Sequence, residues 1–342
     1  MTIVLSEKIK AYSESSTYGD AKWSIVYSQW SMVYLDCLRY TKENMQKDLD
    51  KKRVDAIIRF ALKEDIWTGD VTSKAVIDRF HTMCAVIVSR SRGIVCGMDI
   101  AERVFAAVEY SLQFRPMVAD GDRIGPGQEI AFIEGEAQSI LMGERTALNF
   151  LGMLSGVATK TRRMVDAAEG SGVKIYDTRK TIPLHRYLEK YAVTVGGGHN
   201  HRKGLWDMIL IKDNHLRAFS MQIKESGNKE VIQGILKRAR HDAQKNIKIE
   251  IEVETVEECG YALDERPDVI MLDNMTPEKI KKAVAIRKEK GLEGKVLFEI
   301  SGGITLDNIK DYAGTGAEII STGSITGAIE PLDFSMETVL RK

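Results

Sequence analysis

Between residues 177 and 215 the chain collects Arg179, Lys180, Lys190, Arg202, Lys203 and Lys212, with His199, His201 and His215, around the triplet Gly196-Gly197-Gly198. The chain as a whole has 49 basic and 49 acidic residues and a formal net charge of zero. The cationic cluster is therefore local, and it points to a pocket for an anionic ligand rather than to a whole-protein field. His199 and His201 alternate on one side of an extended segment, which raises a zinc reading. Arg202, Lys203 and Lys212 crowd the same place and would repel a cation, and no cysteine is near. A histidine that presents N–H to an anion is the favoured reading.

A second group of chemistry-bearing residues follows. Glu250, Glu252 and Glu254 alternate, so they share one face of a strand. Asp273-Asn274, Ser301-Gly302-Gly303 and Ser321-Thr322-Gly323-Ser324 each end an apolar run. Glu252 and Asp273 form a carboxylate pair that could hold Mg²⁺ on phosphates, or bind sugar hydroxyls and stabilise positive charge on a sugar ring. A structural salt-bridge role is the plainer alternative. The two glycine turns are expected each to open a helix, where backbone N–H groups and the helix dipole cradle phosphate; ordinary βα turns are the alternative.

These residues need a scaffold that brings strand ends together. Strand-like runs at 173–176, 208–211, 247–253, 269–272, 296–300 and 318–320 alternate with helical patterns at 184–191, 231–244, 256–263, 277–288 and 306–312. About six parallel β/α units result, fewer than the eight of a full barrel, so the expectation is an α/β fold with an open, incomplete barrel. Every polar cluster falls at a carboxyl end, where parallel barrels build their sites.

The upstream half has another rhythm. Helical patterns begin at Val54 and at Asp99, and strands are expected at 83–88, 93–96, 113–118 and 129–134. A long helix at 138–168 carries an apolar stripe with Glu144 inside it and Arg145 at its edge, so Arg145 either forms a salt bridge or points into a site. The expected divisions are a helical extension at 1–50, a sandwich domain at 51–155, with or without 325–342, and a barrel at 156–324. In the extension Trp23, Tyr27, Trp30 and Tyr34 share one helix face, which is either a docking face or packed on its own domain.

Composition adds bounds. An apolar fraction of 44% and a charged fraction of 29% describe a soluble globular chain, and balanced charge argues against nucleic acid as the main partner. Four cysteines without a CxxC pair fit a reducing compartment. No apolar run reaches the roughly 20 residues of a membrane span, and no signal peptide is evident; a cytoplasmic protein without membrane partners is expected.

The motifs DTRKT from Asp177, LEKYAV from Leu188, GGGHNHR from Gly196 and IKDNH from Ile211 resemble those of quinolinate phosphoribosyltransferases. LKEDIWTGDVTS from Leu62, ERTALNFL from Glu144, IEIEVET from Ile249, MLDNM from Met271 and SGGI from Ser301 extend the resemblance over about 54–342. It implies transfer of phosphoribosyl from 5-phosphoribosyl 1-pyrophosphate to quinolinate with decarboxylation, in NAD biosynthesis. It implies a sandwich domain beside an open barrel, and a homodimer or dimer-based hexamer with shared sites. By motif, Arg145 (from the partner subunit), Arg179, His201, Arg202 and Lys212 would bind quinolinate. Thr178, Lys180, Glu252, Asp273, Ser301, Gly302, Gly303 and Gly323 would bind the phosphoribosyl donor. Lys180, Glu252 and Asp273 would be catalytic, the two carboxylates also facing Mg²⁺. The chain departs from the pattern at Pro183-Leu184-His185, where a glycine commonly follows the proline, and at Trp67 and Ile300. A relative acting on another pyridine acid and a non-catalytic anion sensor are the competing readings.

Overall fold

The computed structural model describes residues 49–224 and 227–339; the aromatic positions of 1–48 lie outside them. Asp50 caps the first described helix, α1 (Lys51–Ile66), accepting from the amides of Lys52 and Arg53. Val54, Ile58 and Leu62, four residues apart, make its buried stripe. The short α2 (Val71–Val76), capped by Asp70, was not foreseen. There follow β1 (Thr82–Ser89), β2 (Gly93–Ile94), α3 (Met98–Val108), β3 (Gln113–Pro116), β4 (Arg123–Ile124), β5 (Glu129–Glu136) and α4 (Ala137–Ala167).

The sandwich sheet takes its edge strand from the other end of the sequence. Its order is β12-β1-β5-β3, with β12 (Phe334–Val339) antiparallel to β1 from Ser89↔Phe334 to Cys84↔Val339. To get there the chain crosses α4 at Gly152, where Leu332 donates its amide to the Gly152 carbonyl at 3.0 Å. A Cβ on Gly152 would lie 2.8 Å from the Leu332 carbonyl oxygen, so only glycine allows the crossing.

The second sheet is built from β6 (Lys174–Tyr176), β7 (Ile209–Ile211), β8 (Ile249–Val253), β9 (Val269–Asp273), β10 (Leu297–Ser301) and β11 (Ile319–Ser321). All pairs are parallel and the order is β6-β11-β10-β9-β8-β7. The first strand of the series thus pairs with the last, which requires the sheet to curl round. The one break falls between β6 and β7, where a single bridge joins Tyr176 to His199. This is an incomplete barrel, open at one seam.

The connecting helices are α5 (Arg186–Val195), the pair α6 (Asp213–Ile223) and α7 (Asn228–Asp242), then α8 (Val256–Glu265), α9 (Pro277–Glu289), α10 (Ile309–Ala313) and α11 (Ser324–Gly327). Helix α6 was not expected; none of its residues is fully buried, and its short apolar stripe, Leu216 and Phe219, packs half-buried against the core. Among the described residues no helix is long and apolar enough to cross a membrane.

Candidate active site

The carboxyl ends of the parallel strands surround one cavity of about 780 Å³. Thr178, Arg179 and Lys180 reach it from the loop after β6, His201 and Arg202 from the segment beyond α5, and Lys212 from the end of β7. Glu252, Asp273, Ser301, Gly302, Gly303 and Gly323 complete the wall from β8 to β11. Arg145 does not line it; it is exposed on α4.

Local chemistry sets each loop. The Thr178 hydroxyl accepts the Lys180 amide at 3.0 Å, and the Lys180 carbonyl accepts the Thr326 hydroxyl at 2.7 Å. A Cβ on Gly323 would lie 2.8 Å from Lys180 Cδ, so glycine leaves room for the lysine stem. Gly302 has φ 93°, and a Cβ there would lie 2.9 Å from the Asn274 amide nitrogen. The expectation that both glycine turns open helices holds at Gly323, the N-cap of α11, and needs correction at Gly302-Gly303. Helix α10 begins only at Ile309, and α11 is a single turn of four residues. An anion there would meet loop amides and the hydroxyls of Thr322 and Ser324, with little helix dipole behind them.

The three alternating glutamates go to three places. Glu252 faces the cavity, its Oε2 2.5 Å from Lys212 Nζ. Glu254 lies beyond the end of β8, where its amide donates to Glu258 Oε2 at 3.0 Å. Glu250 is fully buried in the barrel interior, its Oε2 3.1 Å from His201 Nε2. At the end of β9, Asp273 Oδ2 accepts from the Asn274 side chain at 2.7 Å.

His201 sits between two buried acids, with Glu299 Oε1 3.4 Å from the same Nε2. Burial would lower the imidazole pKa, but ionised Glu250 and Glu299 together push it up to about 10. The backbone argues for a different proton address. The Arg202 amide donates to His201 Nδ1 at 2.8 Å, so Nδ1 keeps its lone pair and the ring is the neutral Nε2–H tautomer. The extra proton then belongs to Glu250, whose carboxyl burial and the Glu299 charge raise to about 7. His201 therefore borders the cavity with Nδ1 engaged by the Arg202 amide, while Nε2 lies near both acids without a hydrogen-bond partner among the described residues.

The three histidines do not converge on a metal. His199 stacks on Tyr176 with ring centroids 5.3 Å apart, and His215 Nδ1 accepts the Lys212 amide at 2.9 Å. Among the described residues, His201, Glu250 and Glu299 are the group whose potential ligand atoms lie within 4.8 Å of one another. Lys190, counted with the cationic cluster, is not in the cavity wall; its Nζ is 2.6 Å from Asp177 Oδ1.

Glu250 and Glu299 were not singled out from the sequence as a pair around His201. The signal for Glu299 was an acid inside the apolar run of 296–300, which needs a partner if buried. The departure at Leu184 also has a backbone reason. Leu184 has φ 68° and is 87% exposed, a left-handed position at which glycine is unstrained.

The family model of the quinolinate phosphoribosyl transferase C-terminal domain matches residues 157–337, and that of its N-terminal domain matches residues 70–155. The chain belongs to the quinolinate phosphoribosyl transferase family. A family relative from Methanothermobacter thermautotrophicus, named "probable nicotinate-nucleotide pyrophosphorylase (carboxylating)", is 40% identical over 283 residues, covering 82% of this chain and 97% of that one. The nicotinate-nucleotide pyrophosphorylase (carboxylating) of Mycobacterium leprae is 38% identical over 285 residues, 82% of this chain and 95% of that one. The solved structure of the nicotinate-nucleotide pyrophosphorylase from Francisella tularensis superposes with a TM-score of 0.77 at 35% identity, covering 87% of this chain and 100% of that one. A transferase of the quinolinate phosphoribosyl family thus accounts for both sheets.

Proposed function

We propose that this chain transfers the phosphoribosyl group of 5-phosphoribosyl 1-pyrophosphate to the ring nitrogen of quinolinate and releases pyrophosphate and CO₂. The product is nicotinate mononucleotide, in NAD biosynthesis. One observation carries this reading: Arg179, Arg202 and Lys212 share a single cavity with the Glu252 and Asp273 carboxylates.

The two carboxylates of quinolinate need several cationic donors, each worth about 1.5–3 kcal/mol as a charge-assisted hydrogen bond. Arg179, Arg202 and Lys212 supply them, with the His201 ring as a wall. Thr178, Lys180, Ser301, Gly302, Gly303 and Gly323 hold the phosphates of the donor. As the bond from the ribose carbon to pyrophosphate breaks, positive charge grows on the sugar, and Glu252 and Asp273 meet it with negative charge. The ring nitrogen becomes cationic once bonded to ribose. Its positive charge then stabilises the electron pair left on the adjacent ring carbon when the carboxylate there departs as CO₂, and that carbon takes up a proton. Transfer therefore precedes decarboxylation.

Glu252 and Asp273 are hard oxygen donors that suit Mg²⁺ shared with phosphates, and the ion, when bound, neutralises charge on the departing pyrophosphate. Arg145, exposed outside the cavity of its own chain, serves the cavity of a partner subunit in a homodimer or a dimer-based hexamer. A cytoplasmic setting agrees with Cys84, Cys96 and Cys259, which are free and buried. The test is to incubate purified protein with quinolinate, 5-phosphoribosyl 1-pyrophosphate and Mg²⁺ and follow nicotinate mononucleotide. Tight quinolinate binding without product would overturn the reading in favour of a sensor.

A further inference from the structure

We propose that Asp177 and Lys190 form a positioning pair that fixes the separation of Arg179 and Arg202, and so selects a pyridine with two adjacent carboxylates over one with a single carboxylate. This deepens the quinolinate reading and rests on it.

The two arginines arrive on different strands of chain. Arg179 follows β6, whereas Arg202 lies on the segment that enters the open seam after α5. Backbone pairing joins the two only briefly. The His199 amide donates to the Ile175 carbonyl at 2.8 Å and the Asp177 amide to the His199 carbonyl at 3.1 Å. From His201 onward, side chains take over. Asp177 Oδ1 accepts the His201 amide at 2.8 Å and Lys190 Nζ at 2.6 Å, while Lys190 Nζ also donates to the His201 carbonyl at 3.0 Å. Asp177 and Lys190 thus grip both backbone groups of the residue before Arg202, two residues before Arg179.

The pair is wholly internal, with side-chain exposures of 0% for Asp177 and 5% for Lys190. A buried ion pair adds little net stability over apolar packing, so stability alone does not call for one here. Geometry does. Arg202 feels desolvation and then the repulsion of Arg179, which lowers its pKa. Two like charges on a poorly paired seam drift apart unless something holds the chains. A fixed pair of guanidinium groups suits two carboxylates on neighbouring ring atoms, while a loose pair accommodates one carboxylate equally well.

The double variant Asp177→Asn/Lys190→Met keeps an acceptor for the His201 amide and leaves no unpaired buried charge. Quinolinate and nicotinate binding are measured by calorimetry, and the KM for 5-phosphoribosyl 1-pyrophosphate by steady-state assay. The expected result is at least about a tenfold loss of the preference for quinolinate over nicotinate, with the phosphoribosyl donor KM little changed. Where the double variant does not fold, Lys190→Gln, which retains a donor for the His201 carbonyl, is expected to show the same loss of preference. A folded variant with unchanged preference, or one in which both substrates weaken together, overturns the proposal. Failure of the wild-type protein to form nicotinate mononucleotide is a separate result; it strikes the activity, since the preference is read from binding alone.

Discussion

Lys212 Nζ lies 2.5 Å from Glu252 Oε2, across the ends of adjacent strands β7 and β8. A cation assigned to quinolinate and a carboxylate assigned to the ribose are thus partners of each other before either meets a substrate. Removing the charge of Glu252 frees Lys212 for quinolinate while stripping the sugar of its counter-charge. Glu252→Gln is therefore expected to lower kcat by about 100-fold or more, on the scale of lost transition-state electrostatics. The KM for quinolinate should stay level or fall. Steady-state kinetics with each substrate varied separately checks both; a raised quinolinate KM with intact kcat would contradict the assignment.

Among the described residues Arg202 has no acid as a hydrogen-bond partner; its Nη1 is 3.4 Å from the Met208 carbonyl, a weak contact. Its charge is left for a ligand. Arg202→Ala should weaken quinolinate by roughly 10- to 150-fold, the range of one charge-assisted hydrogen bond. The affinity for 5-phosphoribosyl 1-pyrophosphate should change little. Titration calorimetry with each ligand decides it, and equal losses would rule out the role.

Arg145 gives a test of shared sites. Arg145→Ala and Glu252→Gln are each expected to be inactive, through different subunits of one site. Mixing the two after mild dissociation should restore about a quarter of wild-type activity, because half of randomly re-formed dimers are hybrids and each hybrid has one intact site. No recovery from hybrids that form would place Arg145 outside the catalytic machinery.

Glu189 is fully buried, and burial pushes its carboxyl up to about 7, with the Ile182 amide at 3.1 Å opposing the rise. The folded state then holds a proton that the unfolded chain has released. Its contribution is complete below the unfolded pKa near 4.5 and is lost as pH rises through the folded value. Stability should decline from about pH 5 to pH 7 on this account, and Glu189→Gln should flatten that slope. Urea unfolding midpoints at both pH values for the two proteins measure it.

The strand ends were the legible part of this molecule. Apolar runs that stop at Asp177, Lys212, Asp273 and Ser301 carry their own register, and the motifs around them are local in sequence. Glu299 shows the limit. Its neighbours make an ordinary buried strand, and only the fold brings His201 and Glu250 to it from elsewhere in the chain. Asp177 and Lys190 show another. Lys190 reads as a member of the cationic cluster, yet its charge and that of Asp177 are directed at each other and at the His201 backbone. Helix α6 escaped notice because its stripe, Leu216 and Phe219, is short and only half-buried.

The return of β12 to the sandwich sheet has a consequence for how the protein is made. Synthesis runs from α1 toward β12, so β1 emerges early and its neighbour comes after every strand of the barrel. Until then β1 presents an unpaired edge of backbone donors and acceptors, the kind of edge that recruits other chains. The sandwich cannot mature on the ribosome ahead of the barrel. Its last hydrogen bonds instead wait for the chain to pass over Gly152, which makes nascent β1 the segment most in need of chaperone cover.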